Sequence, residues 1–402
     1  PMLERFNTDF SYITDEMRWP RDGRARDGNY SAIYLYGSSL CTDDKPNTAT
    51  GGWQSWVGDG PIVLASYYPV YSFDPACTYP DRERQRGAMI HEGIHSILAT
   101  MPGCRNACWF HEGGNTWLQA TMEAKRAGGQ PTEMGYLSMG AAIAPFMPIE
   151  TYSGWLQDGS FGGPCAERVN MFDGDQQLCT WRRMLGGTQY GETFAHAMEV
   201  ILGEKSIAWV WRYADQSGRV LQDLAEVEGG LGPVQTRRLI QEYRARQAFG
   251  DFGMWSNAYK KLLNDNWNSS LGVEWEPHWL DVPAWRATCY APTERSGNTL
   301  TPAADTLPGW SGANQIPLTV NDGATCVTVD FAPQADNMSC QLVYRDNGGA
   351  IHYGRPVSSG ACSIPVSNVK NGVVVAVVAN TDYIYDGGTT KYGYTLTIGE
   401  GI

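Results

Sequence analysis

The sequence predicts an α+β protein in two parts: a mainly helical stretch with a small N-terminal β-sheet, then an all-β sandwich. Three observations predict it. At 402 residues the chain exceeds one usual domain. Fourteen of its fifteen tryptophans lie at or before Trp285, so an aromatic-rich texture ends there. Beyond Trp310 the pattern changes to short β-branched runs separated by turn residues. The expected division is 1–290, a Pro/Thr/Ser-rich linker over 291–312, and a β unit over 313–402.

Taken in order, Ala32–Tyr36 and Pro61–Tyr68 read as strands, and Gly51–Gly60 between them as a Gly-rich loop carrying Trp53 and Trp56. Arg82–Met101 reads as a helix, because Ile90, Ile94, Ile97, Leu98 and Met101 recur at helical spacing. Pro102-Gly103 ends it. Thr116–Arg126, Thr193–Tyr213 and Leu221–Phe249 are expected as further helices, with a second aromatic loop over Met147–Pro164 that carries Tyr152, Trp155 and Phe161. In the last part the expected strands are Ile316–Val320, Cys326–Phe331, Gln341–Tyr344, Val373–Val378 and Tyr392–Ile398. Asp322-Gly323, Asn347-Gly348-Gly349, Asn371-Gly372 and Asp386-Gly387-Gly388 separate them.

Composition excludes several classes. Hydrophobic residues make up 42% and charged residues 18%, which is globular. No apolar run reaches the length of a membrane span. Net charge is -13, so phosphate backbones are repelled and no nucleic-acid partner is expected. The densest basic stretch, Arg237 to Arg246, alternates with apolar residues and reads as the solvated side of a helix. Pro1 is not an initiator Met, so a processed N-terminus is expected. Ten cysteines without a CxxC suit export to an oxidising space, secreted or periplasmic. One economical pairing is Cys41–Cys77, Cys104–Cys108, Cys165–Cys179, Cys289–Cys326 and Cys340–Cys362, although sequence does not determine connectivity.

The chemistry concentrates in His91-Glu92-Gly93-Ile94-His95, the HExxH pattern of zinc hydrolases. Histidines four apart on a helix project from one face, so both imidazoles reach one Zn2+. Glu92 between them suits a general base that takes a proton from water. A histidine six residues beyond His95, another common third ligand, falls on Met101, which rules that option out. Seventeen positions beyond His95 stands Glu112, in Trp109-Phe110-His111-Glu112-Gly113-Gly114-Asn115. His111 is the rival third ligand.

These motifs resemble the gluzincins, zinc peptidases in which a glutamate on a following helix completes the site, often in a Trp-apolar-x-Glu-Gly context. Gln189-Tyr190-Gly191-Glu192-Thr193-Phe194 and the helix running to Leu202-Gly203 are similar to another helix of that clan. The resemblance spans roughly residues 30 to 215 and rests on short motifs. It implies a zincin-like metallopeptidase domain over 1–290, with His91, His95 and Glu112 as zinc ligands. Thr116 departs from it, standing where some gluzincins carry an Asp that supports a ligand histidine.

The reading is a secreted zinc-dependent endopeptidase acting on a peptide or glycoprotein. Glu92 is its general base, and Tyr190 is a candidate donor to the developing oxyanion. Strand Pro61–Tyr68 is expected to pair with an extended substrate, as the corresponding edge does in relatives. His196 is expected in the core, while nothing places His278 or His352 near the metal. A lone tryptophan in the last part, Trp310, does not favour a carbohydrate platform there. Two other readings remain: an extracellular structural or adhesive protein with zinc as a staple, self-assembling through its β part, or a zinc hydrolase of glycan-linked or other non-peptide amide bonds.

Overall fold

The computed structural model describes residues 2–19, 32–35, 52–57, 60–65, 90–95, 101, 108–126, 128–131, 134, 141–142, 145–150, 191–213, 219–266, 290–384 and 391–402. Helix α1, Met2–Ser11, opens the chain. Strands β1, Ala32–Leu35, β2, Gly52–Val57, and β3, Gly60–Ala65, form a three-stranded sheet in the order β1-β3-β2. Helix α2 covers 90–95 and α3 covers Cys108–Arg126. Four helices follow: α4, Glu192–Leu202, α5, Lys205–Tyr213, α6, Val220–Glu226, and α7, Pro233–Gln247. The last helix is α8, Ser256–Asn266.

The mainly helical zincin-like domain expected over 1–290 is not what the structure shows, and the predicted fold class is corrected. About 40% of the described residues are helical, in eight short helices, and two antiparallel sheets make up the C-terminal part. Glycines supply part of the physical reason. The expected helix Thr193–Tyr213 breaks at Gly203, whose φ of 90° lies in left-handed space that side chains disfavour. The run Leu221–Phe249 is cut by Gly229 to Gly232, and α7 restarts at Pro233, whose missing N–H is no loss at a helix start.

The three-stranded sheet brings two further corrections. Residues 52–57, read as part of a loop, are strand β2, paired antiparallel with β3 from Gly52↔Ala65 to Val57↔Gly60. On its other side β3 runs parallel to β1, from Ala32↔Ile62 to Leu35↔Ala65. Strand β3 is therefore central. Both of its ladders are occupied, so it offers no edge to an extended substrate.

Nine strands form the C-terminal part. These are β4, Thr293–Ser296, β5, Thr299–Pro302, β6, Ala313–Thr319, β7, Cys326–Pro333, β8, Met338–Asp346, β9, Ile351–Tyr353, β10, Gly360–Pro365, β11, Val369–Asn380, and β12, Tyr394–Ile398. The stretch expected as a linker thus carries the hairpin β4–β5. One sheet has the order β10-β7-β12-β5-β4, the other β6-β11-β8-β9. Alternate residues of both face a shared core: Val327, Val329 and Phe331 of β7, Cys362 and Ile364 of β10, Leu342 and Tyr344 of β8, and Val374, Ala376 and Val378 of β11.

Strand β11 is buried on both faces, which explains its unbroken apolar run. Its other set, Val375, Val377 and Ala379, packs with Val343 against Ala245, Ala248 and Phe249, at and just beyond the end of α7. The helical part and the four-stranded sheet therefore share a core. Trp310 and Tyr383 also belong to the main helical core. Within that core Glu199 Oε2 accepts the indole N–H of Trp117 at 2.7 Å and of Trp255 at 2.8 Å, joining α3, α4 and the turn before α8.

Arg244 is the tightest link, and it corrects the expectation that its helix face is solvated. Its side chain is wholly buried. Nε donates to Ser311 O at 2.9 Å, Nη2 to Met147 O at 2.6 Å and Nη1 to Gln247 Oε1 at 2.9 Å. Beside it Ala313 N–H donates to Pro145 O and Ile149 N–H to Ser311 Oγ. The segment 145–150 is thereby clamped between α7 and the entry to β6. Its last residue, Glu150, is wholly buried and accepts the Leu221 N–H at 2.8 Å.

Two outcomes are expected. Arg244→Lys keeps the charge but cannot reproduce three diverging N–H donors, leaving buried carbonyls unmet, so it should cost about 3 kcal/mol. Chemical denaturation checks this, and an unchanged midpoint would contradict it. Burial raises the Glu150 carboxyl from 4.5 to about 7, against the lowering effect of the Leu221 and Val220 N–H groups and Arg219 and with the raising effect of Asp223. The folded state then holds a proton that the unfolded chain has released. The Glu150 contribution is most favourable below pH about 4.5 and is lost, by about 3 kcal/mol, as pH rises through about 7. Unfolding curves across that range should slope for the wild type, and much less for Glu150→Gln.

Candidate metal centre

Helix α2 carries the HExxH residues. Its apolar positions, Ile90 and Ile94, are buried in the helical core together with Met101. That leaves His91 and His95 on the neighbouring face, almost buried at 7% and 5% exposure. Glu92 is partly exposed. The two imidazoles meet edge to face, with centroids 4.7 Å apart and planes at 87°. Their Nε2 atoms lie 3.1 Å from one another. Two nitrogens held at about 2.0–2.1 Å by one tetrahedral zinc stand about 3.3 Å apart, so the separation fits a shared metal. It also fits one proton shared between neutral rings.

Gly93 sets the depth of α2. A Cβ there would come within 2.5 Å of Phe6 Cε1 and 2.9 Å of Phe10 Cζ. These two rings of α1 stack with centroids 5.5 Å apart and cover the helix at that point. On another side Asn115 of α3, wholly buried, donates Nδ2–H to the His91 carbonyl at 2.9 Å. Position 112 is one turn earlier on α3 and shares the face that carries Asn115. The next residue, Gly113, abuts the start of α4: its Cβ would lie 3.0 Å from Gly191 C and 3.1 Å from Glu192 N. Helices α2, α3 and α4 therefore converge around these residues.

The structure brings His91 and His95 together. The backbone of Glu112 lies in the first turn of α3, but its side chain and that of His111 are outside the described residues. Tyr190, His278, most of the loop Met147–Pro164, and Cys41, Cys77, Cys104, Cys165, Cys179 and Cys289 also lie outside them. Among the described residues no three His, Cys, Asp or Glu side chains converge to hold a metal. The donor set thus fits zinc at two nitrogens. His196 is wholly buried, with Nε2 3.2 Å from Glu192 Oε1 and its ring 4.2 Å from that of Trp255. His352 bonds Asp346 at the edge of the four-stranded sheet. No helix among the described residues is long and apolar enough to cross a membrane.

Sequence reading missed Asn115, Gly93 and the Gly113–Gly191 approach. The glycines were visible as residue types, but only the packed partner shows why a side chain is refused there. Gly93→Ala improves helix propensity by about 1 kcal/mol, while overpacking against the Phe6 and Phe10 rings costs about 1–3 kcal/mol. Net destabilisation is expected, read as a lower urea midpoint; a stabilised variant would show that α1 yields freely. No protein-family model matches the chain, and no curated protein matches it either.

Proposed function

We propose that this protein is a zinc-dependent endopeptidase whose metal is held by His91, His95 and Glu112, with Glu92 as general base. The observation that carries the reading is the meeting of the two imidazole nitrogens, 3.1 Å apart on one buried helix face. Zinc bound there would supply Lewis acidity, acidifying a water and polarising a substrate carbonyl. The Asn115 bond to the His91 carbonyl ties α2 to the helix that carries Glu112. A carboxylate as third donor offsets one of the two metal charges.

The chain's own chemistry is proton movement. Glu92 adjoins His91 on α2 and is partly exposed, so solvent reaches it. Its carboxylate takes the proton of the attacking water and returns it to the departing amine nitrogen. Tyr190 is proposed as a hydrogen-bond donor to the oxyanion; its neighbour Gly191 sits against Gly113, the residue after Glu112. An extended peptide would add at β1 or β2, the outer strands of the described N-terminal sheet, because β3 is paired on both sides. Ten cysteines support an extracytosolic setting, secreted or periplasmic.

Glu92→Gln should retain zinc, measured as metal per chain after dialysis, and lose peptide turnover by at least about a hundredfold. An active Glu92→Gln enzyme would exclude this mechanism. Turnover abolished by chelation and restored by zinc separates the proposal from a metal-stapled structural protein.

A further inference from the structure

We propose that Cys340 and Cys362 are joined in the mature protein by a disulfide that crosses the two C-terminal sheets. Sequence allows many pairings of ten cysteines, and the fold singles out this one. Cys340 lies on β8 of the four-stranded sheet and Cys362 on β10 of the five-stranded sheet. After β9 the chain returns to β8 at Val357, which exchanges both backbone hydrogen bonds with Cys340 at 2.9 Å. A few residues later it enters the opposite sheet, bringing Cys362 over Cys340. The Cys362 thiol donates to the Cys340 carbonyl at 3.4 Å.

Both side chains are wholly buried in the core between the sheets, with Phe331, Leu342 and Tyr394. In the structure both are thiols. Cys326, the third cysteine whose side chain is described, directs its Sγ to Val327 O and Thr328 Oγ1 at its own strand and does not compete. The two thiols also differ in acidity. A hydrogen bond from Cys340 steadies the Cys362 thiolate and lowers its pKa, while the same bond and burial push Cys340 up.

The oxidant required is a low-molecular-weight disulfide of the glutathione class. The thiolate of one cysteine attacks one of its sulfurs, forming a mixed disulfide and releasing one thiol. The other cysteine gives its proton to solvent, and its sulfur then displaces the second thiol from the mixed disulfide. Two electrons and two protons pass to the oxidant, which becomes two thiols. Burial in the finished core places the exchange during folding, before the sheets close.

The test is peptide mapping of the full chain refolded with oxidised and reduced glutathione, then alkylated while denatured and unreduced. Cleavage before Asp336 and after Arg345 puts Cys326, Cys340 and Cys362 on separate peptides. The expected product joins the Cys340 and Cys362 peptides and is lighter than their sum by two hydrogens. The bond closes a loop between residues 22 apart, so breaking it should lower Tm by about 4 °C. The effect of a reductant should shrink by that amount in the C340A/C362A variant. Recovery of both peptides in alkylated form, or of either joined to another cysteine, overturns the proposal. Mapping uses the natural chain, so it decides the matter even if the variant fails to fold.

Discussion

A buried guanidinium organises this molecule. Arg244 is surrounded by uncharged acceptors among the described residues, carbonyls of Ser311 and Met147 and the amide oxygen of Gln247. Taking a cation out of water is costly unless its donors are met, and here several diverging donors are met by main-chain and amide oxygens. The acceptors come from three separate parts of the sequence. Each must be in place before the charge is tolerated, so the residue works as a registration device. It ties α7, the 145–150 segment and the approach to β6 to one another.

That constraint explains why the C-terminal sheets do not stand apart from the helices. With α7 fixed against β11, the four-stranded sheet has its outer face covered as well as its inner one. The run Val374 to Ala379 is then apolar at every position because both sets of side chains are buried. Two separate cores, one on each side of the same strand, are the result. The Cys340–Cys362 pair belongs to the inner one.

The candidate metal centre depends on close approaches rather than on charge. Gly93 admits the α1 rings, and Gly113 admits the start of α4. Asn115 ties α3 to α2 through a main-chain carbonyl, so ligand position is set by backbone contacts rather than by side-chain rotamers alone. Such contacts were not legible in advance. The histidine pair was, because spacing of four on a helix brings side chains together whatever the surrounding fold. Strand positions in the last part were also legible: Cys326 to Phe331 and Gln341 to Tyr344 lie within β7 and β8, since β-branched runs bounded by Gly and Asn allow few other readings. Arg244 was misjudged because a basic residue among other basic residues looks solvated until its acceptors are known.

The sequence by itself determined the local periodicities: the face shared by His91 and His95, and the alternating strands after Trp310. Tertiary structure alone decided that β3 is central rather than at an edge, that Thr293 to Pro302 pair as strands instead of linking two units, and that Cys340 lies under Cys362. The physical reason is range. Periodicity records which face of an element is apolar, whereas strand order, buried-charge partners and thiol proximity join residues far apart in the chain, and only the packed chain selects them.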